Sequence, residues 1–473
     1  MSTIAGVNHY EERMLFTLML LRHPRARLVY VTSQPIHPAM IDYFVAMVRG
    51  ISASHVRDRL TLLSTYDSSP RPLTAKILER PRLMRRILRA IDPDRAHMSC
   101  FTVSRLERTL AVRLGIPLYG VDPAHLELGT KSGSRRVFRE AGVPMPIGTE
   151  GVKSPGEIAN AVADIWEEAL QTTKVVVKKD HGFSGEGNAV LDLGPLGAVA
   201  PGAPDAASRG GRVDRILQEL PRMRFACTTT SWEPFRDEFA EMGGIVEAFV
   251  EGKNVRSPSG QLRIDPRGEL ECVSTHDQIL GGPDGQTYAG ARFPADDEYR
   301  MEIQSDALKV GRVLTERGVL GRVAVDFMAV ERPEAPGTWD RVAIEINLRM
   351  SGTTHPLMIM KMLNAGSYDP KTGLFLSGLG QPRFYVCTDT LSAPTYRGLS
   401  VEDALDIAAV HGLHYRPWTD DGAVFHLLGA LSQFGKLGVT AYGASEAEAQ
   451  SHFDNTTQIL DEATAGPDGF AGL

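Results

Sequence analysis

Two stretches concentrate residues able to do chemistry. In the apolar run 341–349, Glu345, Asn347 and Arg349 alternate with Ile346 and Leu348. A strand's two-residue period puts all three on one face. A carboxylate, an amide and a guanidinium between apolar flanks are costly to desolvate without a compensating partner. A hard divalent cation is such a partner, since magnesium takes oxygen ligands and keeps substrate phosphates in its shell. Asp326, embedded in the apolar run 321–330, offers a further ligand, and Arg349 then faces the phosphates. The competing reading is a solvent-facing strand side, and the apolar flanks speak against it.

The second stretch runs Val175-Val176-Val177-Lys178-Lys179-Asp180-His181-Gly182-Phe183-Ser184-Gly185-Glu186-Gly187-Asn188, followed by Ala189-Val190-Leu191. It reads as strand, glycine loop, strand. Bare backbone approaches a bulky anion closely and points N–H groups at it. A lysine at the strand end adds a point charge, and Lys178 and Lys179 both qualify. By itself the stretch is also compatible with a solvated hairpin tip. Its glycines run G-x-x-G-x-G with no helix after them, unlike a dinucleotide fingerprint. Gly129-Thr130-Lys131-Ser132 lacks the upstream glycine of a Walker A loop.

Weaker candidates surround these. The strand 244–252, IVEAFVEG after its first glycine, is apolar with Glu247 and Glu251. It could present backbone N–H and C=O groups to an adenine ring, or be an ordinary edge strand. The small-residue loop 351–356 could cradle an acyl or phosphoryl group. His276 and Asp277, in a polar loop 274–282, could hold a substrate amine or form a plain surface turn. His411 and His414 lie three apart with no further ligand in view.

The positioning elements read as α/β. Strands at 27–31, 60–63, 96–103 and 117–120 alternate with helices at 40–48, 73–91 and 103–114, which predicts a parallel sheet with helices on its faces. A helix at 131–141 ends on Gly142, a residue suited to a helix C-terminus. A helix at 155–170 and the glycine hairpin follow, then a Gly/Ala/Pro-rich linker 194–211, the best candidate for a mobile insertion, and a helix at 213–220. Strands at 260–264 and 270–274, a helix at 299–317 and the two acid-bearing strands come next. A last portion carries helices at 401–410 and 444–463 and strands at 423–428 and 437–442. The expected units are 1–130, 131–252, 253–390 and 391–473.

Composition is that of an ordinary globular chain, 473 residues with 42% hydrophobic residues and a net charge of -7. That balance argues against a nucleic-acid surface. The four cysteines are dispersed, with no C-x-x-C pair. There is no signal-peptide pattern and no run long enough to span a bilayer, so a cytoplasmic enzyme is expected.

Taken in order, Lys131, VVVKK-DHGFSGEGN, IVEAFVEG, AVDF and EINLRMSG resemble the ATP-grasp carboxylate–amine ligases, and more narrowly the pheganomycin-type peptide ligases. The resemblance implies an ATP-grasp fold with a Rossmann-like pre-ATP-grasp domain in front and a small C-terminal α+β portion. It implies that Lys131 and Lys178 contact ATP phosphates, Lys178 in preference to Lys179. Backbone at Ser184, Gly185, Glu186 and Gly187 would close over them. Glu247, Ala248, Phe249 and Val250 would line the adenine slot, with Asn254 standing where many relatives carry an acid for the ribose. Asp326, Glu345 and Asn347 would hold magnesium or manganese, and Arg349 would stabilise the transferred phosphoryl. Arg263 would meet the substrate carboxylate or acyl phosphate.

The expected reaction joins a small-molecule acid, through an acyl phosphate, to the amine of an amino acid or peptide, with release of ADP and phosphate. A phosphotransferase and a catalytically silent nucleotide-binding protein are the alternatives. Neither nucleic acid nor membrane is an expected partner, and a homodimer stays open.

Overall fold

The computed structural model describes residues 5–182, 187–203, 208–227, 230–281 and 287–465. The N-terminal unit opens with a 3-10 segment, Val7–Arg22, followed by the parallel pair Leu28–Thr32 and Leu60–Ser64. A second, shorter parallel pair joins Met98–Ser99 to Leu118–Tyr119. The expected parallel arrangement is present, divided into two pairs. The helix expected over 73–91 is two helices, Leu73–Leu78 and Pro81–Ala90. Pro81 explains the break: it lacks an N–H and suits only a first helical turn. Arg105–Leu114 starts after Ser104, whose side chain forms a capping box with Glu107.

Among the described residues a five-stranded antiparallel sheet, the lid of the expected arrangement, runs in the order Gly148–Val152, Gly244–Ala248, Lys174–Lys179, Asn188–Asp192, Arg224–Phe225. Helices Pro155–Glu168 and Arg209–Glu219 supply much of its apolar cover, around Trp166, Ile216 and Leu220. The stretch 194–211 departs from the mobile linker expected. Gly194–Val199 is a 3-10 turn, and the following helix begins at Arg209, capped by Ser208, four residues before the predicted start. Residues 204–207 lie outside the described residues.

Among the described residues, the sheet that bears the candidate catalytic acids, the catalytic sheet of the expected arrangement, has eleven strands. Gly321–Glu331 lies at its heart, paired on one edge with Trp339–Asn347 and on the other with Pro258–Ile264 and Val255–Arg256. The sheet continues through Leu270–Gly281 and Thr287–Phe293 to Pro382–Ser392, then to Lys436–Gly443 and Gly422–His426. Pro382–Ser392 thus crosses residue 390, and the last portion of the chain is part of the same sheet. Residues 274–281, expected as a polar loop, are strand.

One apolar core joins Leu15, Phe44 and Val56 to Phe293, Tyr385, Phe425 and Leu460, so the first sixty residues pack against the last ones. Two of the four cysteines, Cys272 and Cys387, are buried, and all four are free thiols. Among the described residues no helix is long and apolar enough to cross a membrane.

Candidate active site

The acid-bearing strands set the centre of the site. Asp326 stands directly opposite Glu345, and Asn347 opposite Ala324. Asn347 Nδ2 donates to Asp326 Oδ2 at 2.9 Å, and Arg349 Nη2 donates to Asn347 Oδ1 at 2.9 Å. Arg349 lies just beyond the strand's end, which falls at Asn347, and still reaches its neighbours as the alternation requires. The other Asp326 oxygen accepts from Gln278 Nε2 at 3.0 Å. Glu345 pairs with Lys131.

These neighbours set opposite ionisation for the two acids. Burial, reinforced by the Glu345 charge, pushes Asp326 up to about 7. Burial acts in the same direction on Glu345. The charges of Lys131, Arg349 and Lys178 and the Lys131 hydrogen bond overcome it and hold Glu345 below the usual carboxylate range.

Lys131 is placed by the start of helix Lys131–Ala141. Thr130 Oγ1 accepts from Gly133 N–H at 2.9 Å, and Asp180 Oδ1 from Ser132 N–H at 2.7 Å. Gly133 is required because a Cβ there would fall 1.9 Å from the Glu127 carbonyl oxygen. Ser134 Oγ accepts from Ile346 N–H at 3.0 Å. One helix therefore ties the lid, through Asp180, to the acid-bearing strand.

The two lysines at the hairpin point to opposite faces. Lys178 pairs with Glu247 on the cleft side, close enough to act on Glu345. Lys179 pairs with Glu238 and lies 5.4 Å from the centre of the Phe235 ring, on the helix side. Glu247 is also held by Arg135 Nη1 at 3.0 Å, with both side chains almost fully buried (2% and 3% exposed). Sequence reasoning missed Arg135, and it also missed Gln278, hidden in the presumed loop.

Gly187 is buried, and its carbonyl accepts from Lys179 N–H at 3.0 Å. Ser184, Gly185 and Glu186 lie outside the described residues. The strand ends at Ala248, with Ala248 N–H donating to Ile147 O and Phe249 N–H to Lys174 O. Val250 N–H donates to no backbone carbonyl among the described residues. Asn254 turns its amide to Glu331. Arg263 bonds Glu271 at 2.5 Å, opposite Arg322, and so sits four residues along its strand from the position facing Asp326.

His276 and Asp277 take structural places. His276 is fully buried, with Nε2 2.6 Å from the Tyr385 hydroxyl. Asp277 accepts from Tyr299 Oη and from Asp296 N–H, each at 2.8 Å. Neither lies in a surface turn, since both belong to the strand Leu270–Gly281. The loop below Arg349 is anchored by His355, whose Nε2 lies 3.0 Å from Asp389 Oδ1. Arg13 bonds the other Asp389 oxygen at 3.0 Å and stacks on Phe101.

A lid sheet and a catalytic sheet enclosing paired acids and converging cations define the ATP-grasp class. A family described as IQCH-like, ATP-grasp matches residues 124–371, just over half the chain. The PGM1 C-terminal domain matches 403–452. The chain belongs to the ATP-grasp family. It is 32% identical over 456 residues to the L-propargylglycine--L-glutamate ligase of Streptantibioticus cattleyicolor, covering 95% of this chain and 88% of that one. It is 24% identical to IQ motif-containing protein H of Danio rerio, covering 78% of this chain and 38% of that protein. A solved biotin carboxylase from Campylobacter jejuni, in a β,γ-ATP complex, shares the fold with a TM-score of 0.57 at 12% identity, over 99% of this chain and 95% of that one.

Proposed function

We propose that the protein is an ATP-dependent ligase joining a carboxylate to the amine of an amino acid or peptide. The observation that carries this reading is the facing pair Asp326 and Glu345, ringed by Lys131, Lys178 and Arg349, in a chain so similar to a ligase. That relative is named for two amino acids, and amino-acid-like substrates are proposed here too.

Lys131 and Lys178 contact the ATP phosphates, and the edge 247–250 lines the adenine. The pair formed by Asn254 and Glu331 offers a carboxylate where the ribose would lie. Asp326 and Glu345 supply hard oxygens in a pocket where the second negative charge is disfavoured, which suits magnesium or manganese. Asn347 turns its nitrogen toward Asp326, so it joins this ligand set only with its amide reversed. The ion, when bound, offsets charge on the phosphates.

Arg349 stabilises the γ-phosphoryl as it passes to a substrate carboxylate oxygen. The bond to the β–γ bridging oxygen breaks, and ADP forms beside an acyl phosphate. The amine then attacks the acyl carbon, loses a proton, and phosphate leaves. The hairpin 174–192 excludes water from the intermediate. ADP and phosphate should appear in equal amounts only when acid and amine are both supplied. Release of AMP and pyrophosphate, or a stable phosphorylated alcohol with no need for an amine, would overturn the reading.

A further inference from the structure

In the last portion of the chain, three side chains turn donor atoms toward one another. Asp421 stands just before strand Gly422–His426, and Glu448 and His452 lie on helix Glu446–Thr464. The two helical residues are one turn apart and share a face. Each of the three groups brings one donor atom within 4.8 Å of the others. His452 Nε2 lies 3.7 Å from Asp421 Oδ2 and 3.9 Å from Glu448 Oε1. Both separations are too long for a hydrogen bond. Nε2 is shut off from solvent and has no hydrogen-bond partner among the described residues.

The remaining carboxylate oxygens are held from outside. Asp421 Oδ1 accepts from Arg416 Nε at 2.8 Å and from Thr419 Oγ1 at 2.6 Å. Glu448 Oε2 accepts from Ala444 N–H at 2.7 Å. Each acid is therefore oriented through one oxygen and presents the other, as outer partners do for metal ligands. Asp421 is buried, and burial pushes its carboxyl up. Hydrogen bonds from Arg416 and Thr419, then the charges of Arg416 and His452, overcome this and hold it below the usual carboxylate range. The ligand is thus already the anion that a metal needs. Arg416 offsets one of the two carboxylate charges and leaves the other for a cation.

We propose that Asp421, Glu448 and His452 form a second metal site, which takes a zinc-type ion. Four-coordinate zinc with bonds of about 2.0–2.2 Å sets its ligands about 3.3–3.6 Å apart, so the ion fits here with a small inward movement of the three groups. Imidazole with carboxylates suits zinc, whereas magnesium and calcium take shells of oxygen. Glu448 is partly exposed, which lets a water fill the fourth position. The ion clips the helix to the turn 416–421, itself closed by Arg416 N–H donating to Asp421 O at 2.7 Å. The site shares no residue with the phosphate site and does not rest on the ligase reading.

The test uses the full chain with magnesium and a non-hydrolysable ATP analogue in excess, so that the phosphate site is filled. Zinc chloride is added, and binding is followed by competition with a zinc-sensitive dye. His452→Gln, Asp421→Asn and Glu448→Gln should each weaken zinc binding at least about tenfold. Glutamine suits the third helical position and can keep the bond to Ala444 N–H, so Glu448→Gln keeps the test open if Asp421→Asn fails to fold. Zinc should raise the Tm of the parent and not that of His452→Gln. Without zinc, the Tm of that variant should stay within about 2 °C of the parent's. Absence of zinc binding, an affinity unaltered in all three variants, or an equal rise in Tm for the parent and His452→Gln overturns the proposal.

Discussion

Asp326 and Glu345 face each other across adjacent antiparallel strands and ionise in opposite senses, one pushed up to about 7 and the other held low by Lys131. Negative charge at Asp326 is therefore unfavourable until a cation shares the site. Asp326→Asn should lower ADP release by about a hundredfold or more, the scale seen when one transition-state contact is removed. The metal-free variant should melt no lower than the parent, because a disfavoured charge has been deleted. Magnesium with ATP should raise the melting temperature of the parent and not of the variant. Differential scanning calorimetry with and without the ion reads both effects; a variant that still gains stability from magnesium and ATP would sink the metal assignment.

Lys178 and Lys179 are neighbours with opposite allegiances. Lys178→Met should raise KM for ATP at least about tenfold, by loss of a charge-assisted phosphate contact. Lys179→Met should leave it within about twofold. Initial rates against ATP concentration decide the matter, and the reverse outcome would reassign the phosphate lysine.

Arg135 compensates Glu247 where neither side chain meets water. Arg135→Ala leaves a buried carboxylate with Lys178 alone, at a cost of about 3–5 kcal/mol. Urea unfolding followed by tryptophan fluorescence should show the lid melting first, since Trp166 belongs to its core. An unchanged midpoint would mean that Glu247 does not depend on the pair.

His276 gives the protein an acid-side weakness. Burial pushes its ring down to about 3, against about 6.5 in the unfolded chain. Above 6.5 both states are neutral there and nothing is lost. As the pH falls below 6.5 the unfolded chain takes up a proton that the folded one refuses. Stability then falls by up to about 1.4 kcal/mol per pH unit toward pH 3. His276→Leu should flatten this slope relative to the parent in denaturant titrations run at successive pH values. An identical slope in the two proteins would remove His276 as the cause.

The acid-bearing strands were legible because alternation is a local signal: Glu345, Asn347 and Arg349 announce one face whatever lies beyond. Asp326 was legible for the same reason. Gln278 was not, since His276, Asp277 and Gln278 in a row look like a polar loop. Pairing with Pro258–Ile264 and Thr287–Phe293, and burial against Phe293 and Tyr385, make that run a strand. The break at Pro81 followed a rule that the sequence states openly. The continuation of the sheet into Lys436–Gly443 did not, because no local pattern names a strand's distant partner.

The shared core of the two chain ends bears on how the protein comes into being. The lid's strands all lie within residues 148–248, so this unit can close on itself while synthesis continues. Leu15, Phe44 and Val56 must wait, exposed, for Phe425 and Leu460, some four hundred residues later on the ribosome. Residues 15–56 are thus made early and buried late, and the catalytic sheet is sealed only once strands Gly422–His426 and Lys436–Gly443 arrive.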